Sequence, residues 1–298
     1  MPLTARCFDE SIRSTAGIIR RLPALRPGQH VIANPNLILP TQRSWYSRPM
    51  IDLTFDCRED ARGRDPDSNS PTLRRYHQIF WSKPLPNGQV FQLDISGPKP
   101  FLVHRSDLGE YHLTSDSITH RYASRAKLKP FVERLPEPHQ AFAQFGGWLI
   151  PECILFPGKR VNRQNTINGA RGMNRRIGDR FDLTLECIRR HYLGESSPLT
   201  YVLGRYSAFF SLFGNFEGYV EFFLLQDLVT SDFRDINFYL PFDAFKDDPL
   251  PQDFESYVSY LGNVEKFAIN RAERMQRWCY EQSIPVQRGP NGVLRSSS

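Results

Sequence analysis

The sequence has few cysteines, no long apolar run and none of the short signatures that announce a common enzyme class. Its five cysteines (Cys7, Cys57, Cys153, Cys187, Cys279) are odd in number, far apart and never in CxxC spacing. That pattern argues against a disulfide framework and against a cysteine zinc site, and reduced thiols in a cytoplasm are the simple expectation. No stretch approaches the ~18 apolar residues of a membrane helix, so no membrane partner is expected. Asp9 and Glu10 stand where a leader would need an apolar segment, and no secretory signal is expected. GxSxG, HExxH, GxGxxG and the GxxxxGK phosphate loop are all missing, which withholds the readiest hydrolase, metalloprotease and nucleotide-binding assignments.

What is present suits a folded domain. The chain has 298 residues, 40% hydrophobic and 13% aromatic, enough for a substantial core. The net charge of +6 is mild, with acidic residues interleaved throughout. A nucleotide or nucleic-acid partner is compatible with that balance but not required by it.

The densest helical signal lies between Asn162 and Val229. From Arg175 to Tyr192, Ile177, Phe181, Leu185, Ile188 and Tyr192 recur at helical spacing, with Asp182, Glu186, Arg189 and Arg190 expected on the outer flank. Gly194 ends that helix. Ser197-Pro198 then reads as a cap and first helical residue for a helix to Phe213, and a third helix runs from Asn215 to about Leu228. Earlier, Ser70-Pro71 starts a helix through Trp81 in which Arg74, Arg75 and Lys83 are expected to be solvated. Two-residue periodicity marks strands at 51–55, 90–93, 101–104, 111–114, 146–150, 153–156 and 236–240. Residues 252–280 form a long amphipathic helix with a break expected at Gly262-Asn263. Strands crowd the first half and helices the second, so the fold class is α+β: a small, mostly antiparallel sheet packed against a helical second half. The expected organisation is a peripheral arm over 1–35, one globular domain over 36–283 and a disordered tail over 284–298.

FDCREDARGRDPDSNSPTLRRYHQIFWSKPLPNG, LGEYHLTSDS, TINGARGMNRRIGDRFDLTLECIRRHYLGESSPL and GYVEFFLLQDLV together resemble an uncharacterised bacterial family, a domain of unknown function, from roughly Ile51 to Arg277. The resemblance implies a bacterial protein and supplies no catalytic residue.

The chemistry is therefore read from the residues. Arg171, Arg175, Arg180 and Arg190 beside a glycine-containing loop are the candidate phosphate-binding group, since guanidinium forks bind phosphate bidentately. Asp182 and Glu186 are the candidate catalytic carboxylates. The competing reading is a charged helix face satisfied by its own ion pairs. Asp65-Pro66-Asp67-Ser68-Asn69 has the start of a calcium loop, but Ser70 replaces the required glycine and Tyr76 the closing glutamate, so it reads as a helix-entry loop. His104, His112 and His120 lie eight apart, outside metal-ligand spacing on one element. A histidine before a Ser-rich strand resembles the nicotinamide pocket of ADP-ribosyltransferases, for which Glu221 is the one later glutamate to place. The leading expectation is an enzyme acting on a nucleotide or nucleic acid through the arginine–carboxylate site. The alternative is a non-enzymatic protein-binding or regulatory module. Cofactors are left open, and no metal is expected.

Overall fold

Residues 50–144 and 147–287 are described by the computed structural model. The arm, residues 36–49 and the last eleven positions of the expected tail lie outside them.

Pro66 and Pro71 each open a helix, where a missing N–H costs nothing. α1 is Pro66–Asn69 and α2 is Pro71–Trp81, and the Ser70 hydroxyl accepts from Leu73 N at 3.0 Å to cap α2. The chain then turns into strands β1 (Lys83–Pro84), β2 (Val90–Phe91), β3 (Leu93–Asp94), β4 (Leu102–Ser106) and β5 (Gly109–Ser117). Two short helices follow, α3 (Lys129–Val132) and α4 (Glu137–Gln144), and then β6 (Cys153–Pro157). β1 and β2 pair by themselves, while β3-β4-β5-β6 form an antiparallel sheet in that order. β5 is the long central strand. Alternation puts Leu113, Ser115 and Ser117 on its buried face and Glu110, His112, Thr114 and Asp116 on the outer one.

The helical half comprises α5 (Ile167–Met173), α6 (Phe181–Tyr192), α7 (Thr200–Gly204), α8 (Ser207–Ser211), α9 (Phe216–Phe222) and α10 (Phe254–Glu281). The α+β expectation holds, with a small antiparallel sheet and most helices in the second half. Phe209, Phe213, Tyr219 and Phe223 fill the space between the short helices.

Several boundaries differ for identifiable reasons. The helix expected from Pro198 to Phe213 begins only at Thr200 and breaks after Gly204, where Arg205 N and Tyr206 N close tighter turns on Val202 O and Leu203 O, while the side chains of Arg205 and Tyr206 donate to Asn165 O and Lys159 O. α9 stops at Phe222, and Leu224 adopts a left-handed conformation (φ +55°). α10 runs unbroken through Gly262: Leu261 and Val264 are buried and Asn263 Nδ2 donates to Tyr239 O, outweighing a glycine cost of about 1 kcal/mol. Of the expected strands, 51–55 and 236–240 are reduced to single bridges at Ile51 (with Val286) and Ile236 (with Val229), and Ile150–Glu152 is a 3₁₀ turn. Arg74 and Lys83 are not solvated. Arg74 is buried and donates to Ile95 O, Pro100 O and Phe101 O, and Lys83 lies over the rings of Trp81, Phe222 and Trp278. Among the described residues no helix is long and apolar enough to cross a membrane.

Candidate active site

The expected site divides in two. On α6, Asp182 and Glu186 are buried rather than outward-facing, because the segment from Tyr239 to Leu250 covers that flank. Asp182 accepts from Arg180 Nη2 at 2.5 Å and from Tyr239 N at 2.8 Å. Arg180 also donates to Pro249 O. Glu186 is clamped by Arg189 and Arg190, each at 2.7 Å, and the Arg190 guanidinium lies over Phe245. These charges satisfy one another. Asp182, Glu186, Arg180 and Arg190 therefore form internal ion pairs that hold α6, and the geometry does not favour them as a catalytic or phosphate-binding group.

Arg171 sits elsewhere, at the sheet. α5 carries it inward until it is fully buried, and Thr166 caps that helix by accepting from Gly169 N. Its Nη1 meets Asp116 Oδ2 at 2.5 Å and Asp179 Oδ1 at 3.3 Å, its Nη2 donates to Asp179 O at 2.9 Å, and its Nε reaches Thr184 Oγ1. Asp179 follows Gly178 in a turn where both are left-handed (φ +68° and +57°), and a Cβ on Gly178 would stand 2.7 Å from Pro249 Cγ. That turn aims the Asp179 carboxylate back at Arg171 and at His120, whose Nε2 is 2.9 Å away. Arg171 is thus consumed in positioning carboxylates. Arg175, by contrast, is exposed and has no ion pair to a described residue.

Three carboxylates follow one another here in different states, Asp67 acting on Asp116 and Asp116 facing Asp179 across Arg171. Burial would raise Asp179, but the His120 hydrogen bond and the Arg171 charge outweigh it and bring it down to about 2. Asp116 is raised by burial despite Arg171, and Asp179 adds to the rise. Asp67, from α1, is raised furthest, to about 7, by burial and then by the charge of Asp116, against an opposing hydrogen bond from Ser115. Its Oδ1 is buried without a hydrogen-bond partner among the described residues, as is Asn168 Oδ1 on α5. Asp116 and Asp179 keep one-fifth of their side-chain surface exposed and His120 about a third (36%), so the group opens to solvent.

Behind Asp67 runs a buried relay. Trp81 Nε1–H donates to His77 Nδ1 at 2.9 Å, which leaves the His77 proton on Nε2, 2.9 Å from Ser115 Oγ. Burial holds His77 neutral, its pKa pushed down to about 3. With its oxygen accepting from His77, Ser115 has its own proton to give to Asp67. The other two histidines of the eight-apart series do other work: His104 stacks on Phe91, and His112 binds Glu110 at 2.6 Å. Glu221 is exposed on α9.

The sequence groups Asp179 with Arg171 in the charged run before α6, but it does not join Asp116 or Asp67 to them. Asp67 lay in a motif that fails as a calcium loop, and Asp116 in a strand end noted for its serines. The usable signal was Asp67 one residue inside a Pro-opened turn, with Ser115-Asp116 on the longest strand.

Fold and site together define an α+β protein whose candidate centre is an aspartate pair at the end of a central strand, backed by a buried arginine. The chain belongs to the family of unknown function DUF6994, which residues 51–275 match. No curated protein and no solved structure matches it. Among the described residues no group of three or more His, Cys, Asp or Glu is placed to hold a metal ion.

Proposed function

We propose that this protein is an acid–base hydrolase acting on a nucleotide-class, phosphate-bearing substrate, with Asp67 and Asp116 as its catalytic pair. The observation that carries this reading is the unpartnered Asp67 Oδ1 beside a second, partly exposed carboxylate. Burial raises both carboxyls, and the one that keeps its proton to about 7 can supply the acid while its neighbour, held by Arg171, supplies the base. Asp67, half-protonated near neutrality, gives its proton to the leaving oxygen or nitrogen. Asp116 takes a proton from the attacking water as the new bond to oxygen forms and the scissile bond breaks. Proton return from Asp116 through solvent to Asp67 restores the starting state. Arg171 holds Asp116 in place, and Asp179 with His120 borders the opening.

The substrate class rests on the loops that carry these residues. Arg62 and Arg64 precede Asp67, Arg125 follows His120, Arg160 and Arg163 precede Asn168, and Arg175 and Arg176 lie between Arg171 and Asp179. All seven are exposed, with no ion pair to a described residue. Exposed arginines on the segments that lead to an acidic centre suit a substrate that is anionic at its ends and reacts at a neutral bond. A bacterial, cytoplasmic setting belongs to the same reading, supported by four buried free cysteines.

The test is turnover of the purified full-length protein on a panel of nucleotides, dinucleotides and nucleotide sugars. Asp67→Asn should lower kcat by about 100-fold or more, the range for loss of a general acid, while the protein stays folded. Wild-type turnover in a folded Asp67→Asn variant would refute the assignment.

A further inference from the structure

A second site lies on the same outer face of β5. Glu110, Tyr111, His112, Lys159, Arg160 and Tyr206 line most of an open groove of about 280 Å³. Its charge is not balanced internally. Glu110 is engaged by Arg105 at 3.1 Å and by His112 at 2.6 Å, whereas Lys159 and Arg160 are exposed and have no ion pair to a described residue. The loop bearing these two cations is fixed rather than loose. Tyr206 Oη donates to Lys159 O at 3.0 Å, Arg205 Nη2 to Asn165 O at 2.6 Å, and Gly158 N to His112 O at 2.8 Å. A cation pair on a preorganised loop loses little entropy when it grips an anion.

The groove is continuous in register with the candidate centre. His112, Thr114 and Asp116 alternate along one face, so His112 and Asp116 are separated by about 14 Å at ~3.4 Å per residue. Between them Gly158 packs on Thr114 so closely that a Cβ would stand 2.4 Å from Thr114 Cγ2. Asn168 Nδ2 donates to Ser115 O at 3.3 Å beside that path, leaving its Oδ1 without a partner.

We infer that the groove is an anion subsite that holds the phosphates of a nucleoside diphosphate, with Lys159 and Arg160 as its ligands and the rest of the molecule directed along β5 toward Asp116. The span is too long for inorganic phosphate or a single sugar to reach both places. This inference rests on the nucleotide reading of the Asp67–Asp116 centre and specifies which part of the substrate binds where.

Full-length protein titrated with ADP by calorimetry at two salt concentrations tests it. Lys159→Ala/Arg160→Ala should weaken binding by about tenfold or more, equivalent to about 1.4 kcal/mol, and reduce the salt dependence. In wild type the His112 ring resonances should move on adding ADP, and in the double variant they should not. Lys246→Ala, an exposed lysine far along the chain, is the charge control and should bind normally. The inference is overturned if wild type does not bind ADP, if the double variant binds as wild type does, if Lys246→Ala weakens binding equally, or if a single-stranded oligonucleotide binds and ADP does not. Failure of this inference separates from failure of the reaction assignment. If Asp67→Asn abolishes turnover while the groove variant keeps its affinity, only the subsite falls. If the groove variant loses ADP while Asp67→Asn turns over normally, only the acid–base assignment falls.

Discussion

His77 Nε2 lies 2.9 Å from Ser115 Oγ, and that contact joins α2 to the central strand of the sheet. Its direction is set one step away, where Trp81 Nε1–H occupies His77 Nδ1. Trp81→Phe keeps most of the ring packing but leaves that nitrogen buried with no donor. The variant should lose about 1–3 kcal/mol of stability in urea unfolding. Nitrogen chemical shifts should show His77 protonated on Nε2 in wild type and a mixture of tautomers in the variant. Unchanged stability and an unchanged tautomer would remove the relay as the agent orienting Ser115.

Asp67 and Asp179 should give opposite pH signatures. Folded Asp67 titrates at about 7, against ~3.9 for an unfolded aspartate. Between those values the folded chain keeps a proton the unfolded chain has lost, so stability is full below ~4 and declines as pH rises through 7. Asp67→Asn removes that decline. It should match wild type near pH 4 and be more stable by about 1–3 kcal/mol at pH 8. Folded Asp179 titrates at about 2, so its contribution is present above ~4 and is lost as pH falls toward 2. Asp179→Asn should therefore be the less stable chain at neutral pH and converge with wild type in acid. Thermal unfolding of the three proteins from pH 3 to 8 checks both signs.

The elements legible in the sequence were those whose signals are local. Ser70-Pro71 announced α2, Gly194 the end of α6, and Asn215 the cap of α9, because capping is chemistry among neighbours. What could not be read depended on partners far along the chain. Asp182 and Glu186 looked like an outer face because the segment that covers them begins more than fifty residues later, at Tyr239. Arg74 looked solvated because its three carbonyl partners lie beyond the next turn. Arg171 drew attention as a phosphate ligand for its glycine-flanked place before a charged helix, whereas the fold buries it against two carboxylates. Asp179, eight residues on, is grouped with it in the sequence, but Asp116 comes from β5, and no spacing rule brings that strand to it.

Asp182 and Glu186 separate a structural carboxylate from a catalytic one. Asp182→Asn leaves Arg180 almost wholly buried without its counter-charge, and should cost about 3–5 kcal/mol. Glu186→Gln should cost less, about 1–2 kcal/mol, because Arg189 and Arg190 are near enough to the surface to be hydrated and the amide still accepts a hydrogen bond. Neither should alter kcat/KM of the folded fraction. A Glu186→Gln protein of wild-type stability and no turnover would return the chemistry to α6.

Arg271 offers a loss as large, from a cation with no hydrogen-bonded counter-charge among the described residues. It is fully buried on α10, and its guanidinium donates to Pro151 O, Cys153 O and Phe223 O at 2.8–2.9 Å, with no carboxylate among its hydrogen-bond partners. Burial lowers its pKa to about 10, still far enough above neutrality for the charge to persist. The side chain therefore acts as a three-way tie between α10, the entry to β6 and the end of α9. Arg271→Met retains much of the volume and removes every donor, stranding three carbonyls. The cost should be about 3–5 kcal/mol. Arg271→Lys keeps the charge but not the planar fork, so it should recover part of the loss and remain clearly below wild type. Equal stability for the lysine and wild-type proteins would mean that charge alone, and not the fork geometry, joins these elements.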